Sequence, residues 1–182
     1  QWKEVPIDIT QPYPKARYSH TLTAAHGGRF ILFGGDDGGS STTSSQSYAW
    51  GSYFEDLWIL TVSRLFQESA HASWTQIAHS GIWPSARAGH ISEYVADLVV
   101  VFGGLVGHSR AELQDSDELW LYDIEARRWL KHTRYNHSIS QSLRTKLWPV
   151  ARHGHASTSL QHSETFFYIF GGTNLHLGCA SK

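Results

Sequence analysis

Sulfur and unbalanced charge are what this sequence has least of. Its 182 residues include one cysteine, Cys179, and no methionine. A lone cysteine has no partner within the chain, so no internal disulfide braces the fold. That usage favours a reducing compartment, and a cytoplasmic location is the expectation it sets. A chain that opens on Gln1 and holds no methionine is expected to be a processed product or a piece of a longer polypeptide. No apolar run approaches the roughly 20 residues that cross a bilayer, and no signal-peptide pattern opens the chain. The formal net charge is −1. That excludes a field able to gather nucleic acid or anionic membrane from a distance, though not a local basic patch. Neither nucleic acid nor membrane is expected as a partner.

Aromatic residues are plentiful, at 13% of the chain, and the length suits one domain. What stands out is repetition. Pro14-Lys15-Ala16-Arg17-Tyr18-Ser19-His20 is followed by Phe33-Gly34-Gly35, then Glu55-Asp56-Leu57-Trp58, then Trp74. Pro84-Ser85-Ala86-Arg87-Ala88-Gly89-His90 is followed by Phe102-Gly103-Gly104, then Asp117-Glu118-Leu119-Trp120, then Trp129. Pro149-Val150-Ala151-Arg152-His153-Gly154-His155 is followed by Phe170-Gly171-Gly172. The arginine marks are spaced 87 − 17 = 70 and 152 − 87 = 65, and the first glycines 103 − 34 = 69 and 171 − 103 = 68. A fixed period of this kind is the mark of a repeat architecture.

Each unit reads as four strands. The first follows the Arg-x-x-His mark, at 19–25, 89–95 and 154–160. The second runs into the glycine pair, at 29–34, 97–103 and 165–171. Its continuous apolar run predicts a strand covered on both faces. The third spans 56–62 and 118–123, where Trp58 with Leu60, and Trp120 with Tyr122, share a face. The fourth starts at Trp74 and at Trp129. Residues 2–5, Trp-Lys-Glu-Val, match the start of a fourth strand and read as the end of a preceding unit. The expected organisation is therefore 1–10 as the last strand of a preceding blade, 14–78 and 84–132 as blades, 149–172 as half a blade, and 173–182 as a tail.

Four-stranded antiparallel units with recurring glycine and aromatic marks predict an all-β fold, a fragment of a β-propeller. The pattern resembles kelch repeats, which carry a double glycine after an apolar strand and a spaced aromatic pair after it. The pairs Trp58 with Trp74 and Trp120 with Trp129 match. The Arg-x-x-His opening is similar to the galactose-oxidase-like branch of kelch domains. The stretched connections and the small number of units depart from that pattern. A propeller closes with roughly 4 to 8 blades. The missing blades are expected from the same full-length chain or from another subunit.

The connections carry what does not repeat. Those from strand two to three, and from strand four to the next strand one, emerge on one face. The first, 36–53, holds Asp36, Asp37, a Ser/Thr-rich tract at 40–47, and then Tyr48, Trp50 and Tyr53. The second, 131–148, holds Arg134, Tyr135, His137, Arg144 and Lys146. Loops on a rigid scaffold are where binding sites sit, and the resemblance implies a face that receives protein partners. These residues are the candidate contacts. For the Ser/Thr-rich tract, a disordered insertion that the fold tolerates is the competing reading.

Candidate chemistry is thin. Arg17, Arg87, Arg152, His20, His90 and His155 recur in register, which points to architecture rather than catalysis. An arginine near a core needs an acceptor, and the recurrent acidic pairs Glu55-Asp56 and Asp117-Glu118 are the candidates. His153 and His155 share a strand face as two metal ligands would, but no further ligand spacing accompanies them. The glycines at 34–39 lack the Gly-x-Gly-x-x-Gly spacing and the following Lys-Ser/Thr of a phosphate loop. Asn136-His137-Ser138 has the spacing of a glycosylation acceptor, relevant only to a secreted chain. Trp83 and Trp148, each before the proline of a mark, read as packing residues. The galactose-oxidase resemblance brings to mind a copper site with a cysteine-linked tyrosine. No Tyr/His ligand set can be assigned here, and no cofactor, metal or catalytic residue is assigned. The expected role is a non-catalytic interaction module. The alternative is an enzyme domain of the same fold, of oxidase or lyase type, whose active site lies on blades outside this chain.

Overall fold

The computed structural model describes residues 4–39, 52–64, 69–107, 112–132, 148–159, 166–176 and 178–179. Among them every regular element but one short 3-10 turn, His26–Gly28, is a β-strand. Blade 1 is the antiparallel meander β1 (Thr21–Ala25), β2 (Arg29–Phe33), β3 (Leu57–Ser63) and β4 (His71–Ile77). Blade 2 repeats it with β6 (Ile91–Val95), β7 (Leu98–Phe102), β10 (Leu119–Asp123) and β11 (Arg128–His132). A small second sheet of β5 (Arg87–Ala88), β8 (Leu105–Val106) and β9 (Gln114–Asp115) lies between these strands in the chain. Blade 3 contributes β12 (His153–Ser159) and β13 (Phe167–Asn174), with β14 (Gly178–Cys179) paired to the end of β13.

The apolar runs do what continuous runs predict. Ile31 and Phe33 of β2, Leu57 and Ile59 of β3, Val99 and Val101 of β7, and Trp120, Tyr122 and Trp129 of blade 2 form one buried cluster. It draws on both complete sheets. Burying one such side chain is worth about 1.5–3 kcal/mol, so the interior between blades 1 and 2 is the main source of cohesion.

The strands differ from the sequence reading at their ends. The first strands of blades 1 and 2 begin two residues late, at Thr21 and Ile91, after Ser19 and Gly89 with positive φ of 53° and 66°. Gly89 N donates to Ser19 O at 2.9 Å, and Gly154 N to Gly89 O at 2.8 Å, which joins the three blades there. The fourth strand of blade 1 starts at His71 rather than Trp74, because β3 and β4 pair two residues further toward their hairpin than β10 and β11 do. Strand β13 runs through its glycine pair to Asn174, and Gly178–Cys179 returns to pair with it. This is the counterpart of the small β5–β8–β9 sheet, so Thr173, Asn174 and Gly178–Cys179 extend the blade. At the start of the chain, Trp2 and Lys3 lie outside the described residues. Pro6–Asp8 follows the outer edge of β4, with Asp8 N and Ala72 N each bonded across at 2.9 Å.

Candidate functional site

The repeat marks form one device, built twice in full. In blade 1, Arg17 donates through Nη1 and Nη2 to the two carboxylate oxygens of Asp56, at 2.5 and 2.9 Å. Nη1 also reaches Gly34 O at 3.0 Å, and Nε reaches Lys15 O at 3.1 Å. In blade 2, Arg87 donates to Glu118 Oε2 at 2.9 Å, Gly103 O at 3.1 Å and Ser85 O at 3.1 Å. The indole of Trp58 donates to Asp56 and that of Trp120 to Glu118. The expected pairing of arginine with acid is thus present, and the acid is the second of each pair. Glu55 and Asp117 instead offer backbone carbonyls to Trp83 Nε1 at 2.7 Å and Trp148 Nε1 at 2.8 Å. In blade 3, Arg152 keeps its bonds to Gly171 O and Val150 O.

The glycine pair divides its duties. A methyl group built on the second glycine would strike its own blade: Gly35 against His20 Cβ at 2.8 Å, Gly104 against His90 Cβ at 2.9 Å. Built on the first, it would strike the next blade: Gly34 against Arg87 O at 2.6 Å, Gly103 against Arg152 O at 2.7 Å. The His90 and His155 rings lie in the same places, 2.8 and 2.7 Å from those built positions, and edge-on to Phe33 and Phe102. Burial holds His90 down to about 3 and His155 down to about 4, with Arg87 and Arg152 adding to the effect, so both are neutral. Glu118 is held down to about 2: burial opposes this, but bonds from Lys131, Trp120 and Arg87 outweigh it. His90 and His155 hold neighbouring blades together, and Glu118 holds the strands of its own blade.

The loop face is where residues stop repeating. Tyr18, Asp36 and Tyr53 form a narrow ladder there, with Tyr18 N and Asp36 N each bonded to the other's carbonyl. Asp36 Oδ1 accepts Gly38 N at 2.6 Å, and Asp37 Oδ1 accepts Ser52 N at 2.7 Å. Tyr18 is 55% exposed. Desolvation first, and then the Asp36 carboxylate, push the Tyr18 and Tyr53 phenols up, so both remain hydrogen-bond donors. Phenol donors and carboxylate acceptors side by side can recognise polar and cationic side chains.

Of the candidate contacts, the structure brings Asp36, Asp37 and Tyr53 together. Tyr48, Trp50, Arg134, Tyr135, His137, Arg144 and Lys146 lie outside the described residues. Two features escaped the sequence reading. Tyr18 joins the patch although it sits inside a repeat mark. Asp115, whose side chain is 1% exposed, binds His153 Nδ1 at 2.5 Å and accepts Leu175 N at 2.6 Å. His153 is thus engaged by a carboxylate. Among the described residues, no three His, Cys, Asp or Glu side chains gather as a metal group. No described helix is long and apolar enough to cross a membrane.

Comparison with known proteins accords with this architecture. The KLHDC2/KLHL20/DRC7 Kelch-repeats domain matches residues 1–180. Tip elongation aberrant protein 1 of Schizosaccharomyces pombe is 32% identical over 134 residues, covering 68% of this chain and 10% of that protein. Kelch repeat-containing protein 2 of Saccharomyces cerevisiae is 25% identical over 178 residues, covering 94% and 17%. The match therefore spans a tenth to a sixth of the length of these two relatives. The solved structure of YjhT superposes with a TM-score of 0.54 at 17% identity, over 88% of this chain and 36% of YjhT. At that identity the likeness speaks for the fold.

Proposed function

The chain belongs to the KLHDC2/KLHL20/DRC7 Kelch-repeats domain family, a family that generally mediates protein interactions. On that premise we propose that it is a non-catalytic recognition module in a reducing compartment, binding a protein partner through its loop face. The observation that carries this is the split between repeating and non-repeating polar groups. The recurrent arginines and acids of complete blades are engaged in inter-strand bonds, and the His90 ring packs across the blade junction against Gly34 and Phe33. The exposed phenol of Tyr18 and carboxylate of Asp37, with the half-buried Asp36 beside them, stand outside that set, on the face where loops meet. Binding sites favour such loop positions on a rigid frame.

The test is capture of bound proteins by the chain and by a variant carrying Tyr18→Ala with Asp37→Lys. Partner recovery should fall at least tenfold while the unfolding midpoint stays within a few degrees. Undiminished recovery would remove this face from the function.

One observation favours the second reading, an enzyme domain of the same fold. The Asp115–His153 pair has no counterpart in the junction before it, where Tyr53 and Ala88 hold the equivalent positions. A buried carboxylate holding an imidazole is a common way to orient a general base. If partner capture survives every loop-face change, this pair becomes the next place to look.

A further inference from the structure

Asp37-Gly38 is the one place in the sequence where Asp or Asn precedes glycine. At such a step the main chain can react with the side chain before it. The nitrogen of Gly38 attacks Cγ of Asp37 and an N–C bond forms. The amide proton leaves with the carboxyl hydroxyl as one water, and a five-membered succinimide remains. Water then reopens the ring. When it breaks the bond to the main-chain carbonyl of Asp37, the chain continues through Cγ and the residue has become isoaspartate. Glycine favours the attack because no Cβ stands beside its nitrogen. Water is the only other reactant, so no cofactor is needed.

The fold ties down both reacting groups. Gly38 N donates to Asp36 Oδ1 at 2.6 Å, so the attacking nitrogen is committed to the neighbouring side chain. Asp37 Oδ1 accepts Gly39 N at 3.2 Å and Ser52 N at 2.7 Å, which anchors the carboxyl under attack. Those bonds, from Gly39 first and Ser52 second, also hold the Asp37 carboxyl below its ordinary range. The ionised form has no hydroxyl to lose. Asp37 and Gly38 are themselves exposed, so water reaches the link. The tie on the nitrogen comes from Asp36, which is half-buried and laddered between Tyr18 and Tyr53.

We propose that Asp37–Gly38 is a modification site that converts to isoaspartate, and that the Asp36 carboxylate sets how fast. Opening of the Asp36 bond frees Gly38 N to reach Cγ. Conversion adds a methylene to the main chain and moves the carboxylate onto the Asp37 Cα, so the bonds to Gly39 N and Ser52 N are lost in their present form. On the reading that the loop face recognises a partner, conversion is a slow loss of that recognition, and Asp36 delays it.

The test incubates the whole chain at neutral pH beside Asp36→Ala and beside the unaltered chain in guanidinium chloride. Peptide mapping with enzymatic methylation of isoaspartyl groups follows position 37 over time. Conversion should be fastest in denaturant. Folded Asp36→Ala, checked by far-ultraviolet dichroism, should convert about tenfold faster than the unaltered chain, the weight of one bond to a charged acceptor. Its Gly38 amide should exchange hydrogen faster by a similar factor. No isoaspartate at position 37 in denaturant removes the site. Equal rates for the folded and denatured chain, or for Asp36→Ala and the unaltered chain, remove Asp36 as its guard. The first of these comparisons decides even where Asp36→Ala fails to fold. Converted chain should also recover less partner than fresh chain. If Tyr18→Ala with Asp37→Lys lowers recovery and conversion does not, the effect on recognition is overturned. If recovery ignores the loop-face variant as well, the loop-face reading fails, and the conversion rates alone still decide the site.

Discussion

Between blades 1 and 2, Phe33 is pressed against both His90 and Trp129, and Trp129 is flanked in turn by Trp83, Trp120 and Tyr122. Between blades 2 and 3, Phe102 meets His155, and polar clamps stand without an aromatic cluster of that size: Asp115 with His153, and Ser157 donating to Glu93 at 2.6 Å, where the first junction adds Thr23 to Ser92 and Arg29 to Glu125 beside its rings. The backbone bonds at the two junctions nevertheless superimpose in kind, from Gly35 N and Gly104 N to the arginine carbonyls. The glycine, histidine and arginine marks therefore set register. The residues between them set how strongly each junction holds. An aromatic cluster resists water by area buried. A buried ion pair depends on complete hydrogen bonding.

The largest effect is expected where register is challenged. Gly103 and Gly171 share the strain of a positive φ, 76° and 71°, which costs alanine about 1–2 kcal/mol. Only Gly103 also has the carbonyl of Arg152 2.7 Å from the added methyl, an overlap that costs a further ~1–3 kcal/mol. Gly103→Ala should thus destabilise by about 2–5 kcal/mol and Gly171→Ala by about 1–2, read by denaturant unfolding at high dilution. Equal losses would mean that contact with the next blade is not what requires the first glycine.

Acid should strain the two junctions over different ranges. His90 titrates near 3 in the fold because burial disfavours its cation, against about 6.5 in an unfolded chain. Its contribution is complete above pH 6.5 and is lost as pH falls toward 3, since the unfolded chain takes the proton first. By pH 5 the loss is about 2 kcal/mol. His155, held down to about 4, follows the same sign but stops losing ground sooner. Glu118 adds to the loss only below its ordinary range, with the same sign. His90→Gln should flatten the fall in stability between pH 6.5 and 4.5. A slope unchanged by that substitution would break the assignment.

Much of this was legible in the sequence because the marks recur. A glycine pair written three times after an apolar run has few other meanings, and the arginines called for the acids they bind. What stayed hidden depends on which blade a residue answers to. No feature of Gly34-Gly35 says that the first serves the next blade and the second its own. Trp83 and Trp148 read as packing residues, yet each donates a hydrogen bond to its own blade. The Asp115–His153 pair left no signal at all. Its partners are 38 residues apart, and their counterparts in the preceding unit, Tyr53 and Ala88, cannot form such a pair. Periodicity reveals what every junction shares and is silent on what one junction adds.

The smallest effect separates two copies of a single bond. Trp83 and Trp148 each tie the segment after a fourth strand to the carbonyl before a third strand, at 2.7 and 2.8 Å. Phenylalanine at either position keeps a ring against the neighbouring histidine, His79 for Trp83 and His132 for Trp148, and loses only the indole donor. The Trp83 bond is open to solvent, so water can replace the donor at Glu55 O. The Trp148 bond is partly shielded, and Asp117 O would be left poorly hydrated. Losing a hydrogen bond costs about 0.5–1.5 kcal/mol, more where water cannot take over. Trp148→Phe should therefore cost about 1 kcal/mol and Trp83→Phe about 0.5, measured side by side in urea. The reverse order would mean that the aromatic cluster around Trp83, rather than access of water to the carbonyl, sets the strength of this tie.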